Sequence, residues 1–129
     1  MARPDYPFTP KSNRWLEPGQ FWAIPLDDGR FACGRVLSVR TQGVGGRTAF
    51  RAGLMDWSAD EPPVADSLIG RAVIAQNNAH VLTITQTGGE VLGFRPLDVD
   101  EIVPAPDTGG AWAVNTIKRL AEHHFGSDR

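Results

Sequence analysis

A single cysteine, Cys33, stands in 129 residues. A lone thiol excludes an intramolecular disulfide, so the disulfide-dense secreted scaffolds are ruled out and the cytosol is the simplest expected compartment. No apolar run nears the ~18 residues that a membrane helix needs, so no transmembrane segment and no membrane partner are expected. Met1–Lys11 has no apolar h-region, so it is not read as a signal peptide. An excess of one charge sign is also missing. Thirteen basic and fifteen acidic side chains leave a net charge of −2. That balance argues against a dedicated nucleic-acid coat and leaves a local patch open.

Cofactor and metal motifs are missing too. There is no GxGxxG. Gly43–Arg47 is glycine-rich, but it lies between expected strands and lacks the GxxxxGK[ST] spacing of a phosphate loop. Zinc sites want close Cys or His pairs, and one Cys with His80, His123 and His124 supplies none. Neighbouring helical residues point about 100° apart, so His123 and His124 do not readily share one ion. No cofactor and no metal are expected. Nor is there an internal repeat of about 20–50 residues.

What is present reads as one small globular domain, with 41% apolar and 22% charged residues. A chain this size should bury about two-thirds of its extended surface, enough for one core. Met1–Pro18 is rich in proline and reads as an irregular N-terminal arm pinned by Tyr6, Phe8 and Trp15. Residues 19–129 read as a single β-rich domain.

Gln20–Leu26 alternates as a strand, Asp28-Gly29 marks a hairpin, and Phe31–Arg40 returns. Gly34 inside that strand predicts a bulge or a close backbone approach. Phe31, Cys33, Leu37 and Val39 share one parity, in which Arg35 is the exception. Arg47–Trp57 reads as a third strand. Gly70–Ala75 and Val81–Thr87 read as strands about an Asn77-Asn78 turn, since Thr83, Thr85 and Thr87 recur with period two. Glu90–Arg95 and Val99–Val103 complete the series. The period then changes: Val114, Ile117, Leu120 and Ala121 predict a helix over about 111–125. The expected fold is mainly β: a small antiparallel, partly barrel-like (SH3-like) sheet with one C-terminal helix.

The balanced charge hides an asymmetry. Residues 1–57 hold eight basic and five acidic side chains, and residues 58–129 hold five and ten. Arg30, Arg35, Arg40, Arg47 and Arg51 recur in the first part. Asp98, Asp100, Glu101 and Asp107 cluster in the second. Solvated faces explain such runs most simply, while a charged docking surface is the sharper reading.

Catalytic candidates are few. Cys33 lies in a strand with no nucleophile motif and reads as a small buried hydrophobe. Asp27 and Asp28 belong to a turn. Asp98 and Asp100 share a parity, but nothing apolar beside them would raise a pKa for acid–base work. Trp15, Trp22, Trp57 and Trp112 divide between core and an exposed hot spot, and the sequence does not separate these roles.

The stretch Pro18-Gly19-Gln20-Phe21-Trp22-Ala23-Ile24-Pro25-Leu26-Asp27-Asp28-Gly29-Arg30-Phe31-Ala32-Cys33-Gly34-Arg35-Val36-Leu37 resembles the opening of the immunity protein 26 family. Gln20 departs from the acidic residue common there, and beyond Leu37 the likeness thins to strand pattern. The resemblance implies a mostly β domain serving as an immunity protein in bacterial polymorphic toxin systems. It also implies a gene beside that of a toxin, often an HNH or endonuclease VII-type nuclease, that the protein binds and blocks in the cytosol. It carries no catalytic residues. Ile24-Pro25-Leu26, Asp28-Gly29 and Gly34 look like scaffold. Asp98, Asp100, Glu101 and Asp107 are then the expected partner-binding residues, facing a nuclease's basic cleft. The alternatives are a small β-barrel module binding nucleic acid or peptide through the arginine series, and an uncatalogued small enzyme using Cys33 or a carboxylate pair.

Overall fold

Gln20–Pro25 (β1), Phe31–Val39 (β2) and Ala49–Ala59 (β3) form where alternation and turn chemistry place them. The chain reverses after β1 at Gly29, whose φ of 91° suits glycine and strains other residues. There the Leu26 N–H donates to the Arg30 carbonyl at 2.8 Å, and the Arg30 N–H donates to the Asp28 carboxylate at 3.0 Å. Val73–His80 (β4) and Val91–Phe94 (β5) complete a five-stranded antiparallel sheet in the order β4-β3-β2-β1-β5. This computed structural model describes residues 3–39, 46–106 and 109–126. The glycine-rich turn at 41–45, Arg40 and Asp107 lie outside them.

The sheet is open, which corrects the expectation of an SH3-like, partly barrel-like closure. Its outer strands, β4 and β5, are separated by the other three, and coil covers both outer edges. Phe8 of the arm exchanges two backbone hydrogen bonds with Val91 of β5, at 3.1 and 2.8 Å. Ala111 bridges Asn78 of β4, and the Trp112 N–H donates to the Asn78 carbonyl at 2.8 Å. Each edge is thus met by coil at one residue pair, which occupies the groups there without closing the sheet.

The segment between β4 and β5 also departs from the period-two reading. Asn77 and Asn78 lie inside β4 rather than at a turn. Leu82–Thr85 is a short helix (α1), with Thr83 and Ile84 buried. Three contacts bend it. Val81 N–H reaches the Thr48 carbonyl at 2.9 Å, Gln86 N–H closes on Leu82 at 2.8 Å, and the Trp22 indole N–H donates to the Thr87 hydroxyl at 2.9 Å. Likewise Leu97–Asp100 is a 3₁₀ turn, not a strand. A second 3₁₀ turn spans Ala65–Leu68.

Apolar layers cover both faces of the sheet. On one, Trp22, Ile24, Val36, Phe50 and Leu54 pack under Phe8 and Leu16 of the arm, Ile84 of α1, and the C-terminal helix Thr116–Phe125 (α2). That helix is held by Ile117, whose full burial is worth about 2 kcal/mol. Lys118 also anchors it, donating to the Pro25 carbonyl, Asp27 and Glu122 at 2.8–3.0 Å. The Arg30 guanidinium donates to the Phe125 carbonyl at the helix C-terminus. The helix begins at Thr116 because the preceding Ala111 and Trp112 run along β4. On the other face Phe21, Cys33, Met55 and Trp57 pack against Leu68, Val73 and Ile102.

Candidate docking face

The second apolar layer explains why two short turns sit on the sheet. Leu68 is fully buried in that layer, and Ile102 packs half-buried against it. Their neighbours must then point outward. Among the described residues seven large apolar side chains are exposed, and four of them belong to these segments: Val64, Ile69, Val99 and Val103, between 58% and 81% exposed. Exposed apolar groups gathered and rimmed by charge mark an interaction surface more than scattered ones do.

The rim here is mainly acidic, with one exposed cation, Arg71, beside Gly70. Asp66, Asp98 and Glu101 are exposed. Glu101 holds a left-handed conformation, φ 59° and ψ 34°, that non-glycine residues adopt at a cost of about 1 kcal/mol. Its N–H donates to the Asp98 carbonyl at 3.1 Å, and the Ile102 N–H donates to the Leu97 carbonyl at 3.0 Å. This tight turn lays Ile102 half-buried against the second apolar layer while leaving Glu101 outside. Beside it a shallow cavity of about 230 Å³ is lined by Ala72, Val73, Asp100 and Val103.

Asp100 has a different place from its neighbours. Its side chain is only 4% exposed. Arg95 grips it with Nε at 2.7 Å and Nη2 at 3.0 Å, and the Gly70 N–H donates to it at 3.0 Å. The Arg95 hydrogen bonds, then that from Gly70, hold its pKa down at about 2. Of the expected partner-binding residues, Asp98 and Glu101 reach solvent together, Asp100 lies beneath them, and Asp107 is outside the described residues.

Of the arginine series, Arg40 lies outside the described residues and Arg47 is exposed, while the other three are engaged within the fold. Arg35 is fully buried, donating from Nε to the Gly19 carbonyl at 2.9 Å and from Nη2 to the Arg95 carbonyl at 2.5 Å. Arg51 is buried and donates to Gln76 at 3.2 Å. Arg30 pairs with Asp28 at 2.9 Å. The inward position of Arg35 had a signal, since its odd position in β2 shares the parity of buried Cys33.

Cys33 is fully buried, and burial pushes its thiol well above the ordinary value, away from thiolate chemistry. Asp27 is engaged by Lys118 and Asp28 by Arg30. Among the described residues no three His, Cys, Asp or Glu side chains gather as a metal site, and no helix is long and apolar enough to cross a membrane. Trp22 and Trp57 are core, and Trp15 and Trp112 pack half-buried against it. None of the four supplies the exposed apolar surface. The aliphatic residues that do were missed by the sequence reading, because the inward packing of Leu68 and Ile102 decides which neighbours face outward.

Comparison with known families matches the model described as Immunity protein 26 to residues 17–107, a span holding all five strands and both 3₁₀ turns. No curated protein and no solved structure matches.

Proposed function

This chain belongs to the immunity protein 26 family, and we propose that it neutralises its toxin by laying the acid-rimmed apolar face over a cationic catalytic cleft. Its role is that of a non-catalytic bacterial immunity protein that binds a cognate toxin. The finer reading is that the toxin is a nuclease met in the cytosol. A nuclease must hold a polyanion, so its cleft carries cations. Asp98 and Glu101 complement such a cleft and would speed encounter, while Val99, Val103 and Ile69 supply the desolvated centre. The observation that carries this reading is the joint exposure of those apolar and acidic side chains on two turns anchored from below. The retained backbone strain at Glu101 supports it, since strained positions persist where a side chain is needed in a fixed direction.

Co-expression tests it. The product of the neighbouring open reading frame should arrest growth alone and be tolerated with this chain. Asp98→Lys with Glu101→Lys should abolish that protection while leaving the chain folded. Full protection by the reversed variant would remove this face from the account. A neighbour that degrades no nucleic acid would remove the nuclease.

A further inference from the structure

Asp100 lies under the docking face rather than on it, and what it touches runs deep into the sheet. Arg35 in β2 is fully buried and donates to the Arg95 carbonyl at 2.5 Å. The Arg95 N–H also donates to the Gly19 carbonyl at 3.0 Å. So the backbone of Arg95 is fixed from the sheet side. Its guanidinium then forks onto both oxygens of Asp100, and Asp100 reaches on to the Gly70 N–H at 3.0 Å. Gly70 follows exposed Ile69; Asp100 sits between exposed Val99 and Glu101. One carboxylate therefore joins the two segments that carry the face. A planar fork onto a carboxylate fixes direction as well as distance, which a single hydrogen bond does not.

We propose that Asp100, held by Arg95, is the positioning residue of the toxin-docking face: it registers the Ile69–Gly70 corner against the Leu97–Glu101 turn so that apolar centre and acidic rim are presented as one rigid surface. The proposal rests on the docking face argued above. A preorganised surface loses less freedom on binding, and that gain shows mainly in slower dissociation. The rim charges act mainly on association. The two roles are therefore separable by kinetics.

The experiment measures association and dissociation rates against the immobilised toxin domain encoded beside this chain. Arg95→Gln with Asp100→Asn removes the clamp without changing local net charge. We expect dissociation about tenfold faster, with association and its salt dependence unchanged, and faster hydrogen exchange at the Gly70 amide. A merely structural clamp would lower Tm and leave dissociation alone. Wild-type dissociation in the folded double variant overturns the proposal, provided that Asp98→Lys slows association. If Asp98→Lys and Val99→Asp both bind as wild type, the docking face itself is wrong and the proposal falls with it. Should the double variant not fold, Arg95→Lys keeps the charge and loses the fork. Faster dissociation then supports the clamp, and unchanged dissociation refutes it.

Discussion

Replacing Gly34 with alanine tests how tightly the first hairpin is built. Gly34 is paired with Trp22 across β1 and β2, and the β2–β3 register shifts beside it, between Ala32 and Gly34. A β-carbon on Gly34 would lie 2.7 Å from Cη2 of Trp22 and nearer still to two further indole atoms. The ring cannot swing away. It is fully buried, edge-on to Phe50 with centroids 5.9 Å apart, and tied to Thr87 through its N–H. Overpacking of a tight core costs roughly 1–3 kcal/mol, and a rigid ring between paired strands belongs at the upper end. Alanine recovers up to about 1 kcal/mol over glycine in a strand, so a net loss of about 2 kcal/mol is expected. For a chain of this size that lowers Tm by roughly 6–10 °C. Urea unfolding followed by tryptophan fluorescence measures it. Gly29→Ala is the control, because among the described residues nothing lies within 4 Å of its added carbon and only backbone strain of about 1 kcal/mol remains. Trp22→Phe should shrink the Gly34→Ala penalty in a double-mutant cycle. A loss under about 0.5 kcal/mol, or the same penalty in the Trp22→Phe background, would refute the reasoning.

Three further outcomes follow from single residues. Thr83 Oγ1 is buried with no hydrogen-bond partner among the described residues, so Thr83→Val should stabilise by about 1 kcal/mol in urea titration, and destabilisation would show that the hydroxyl is satisfied. Glu101→Gly relieves a left-handed strain; it should raise stability by up to about 1 kcal/mol while weakening toxin binding, and a gain in stability with unchanged affinity would remove Glu101 from the face. The folded pKa of Asp100, about 2, lies below its unfolded value near 4. Its stabilising share is therefore complete above about pH 4 and lost as pH falls toward 2, so Asp100→Asn should flatten the stability profile across that window. An unaltered acid limb in the variant would contradict the clamp.

Legibility in the sequence tracked the range of the deciding contacts. The β1–β2 hairpin was readable because its determinants are adjacent: Ile24 and Trp22 alternate inward and Asp28-Gly29 turns the chain. Gly34 was readable as a close approach, though the indole it meets was not. The α2 helix was readable from Ile117 and Ala121, while its start was not, because Ala111 is taken up by β4. Val81–Thr87 misled because alternating threonines favour a strand, whereas contacts from Thr48 and Trp22, distant in sequence, bend it. The open sheet was unreadable for the same reason: the closure of its edges is decided by Phe8 and Ala111. At the docking face, acidity was visible in the sequence. The division of labour between Asp98 and Glu101 outside and Asp100 inside depends on Arg95 and Gly70.

Immunity through the acid-rimmed apolar face makes toxin affinity depend on the rim charges. The most direct measurement is the affinity of the purified toxin domain for this chain and for Asp98→Lys/Glu101→Lys, by calorimetry at two salt concentrations. Two rim reversals against a cationic cleft should weaken binding about 100-fold, roughly 2.7 kcal/mol, and reduce the salt dependence. Equal affinity in a variant with wild-type Tm would contradict the account.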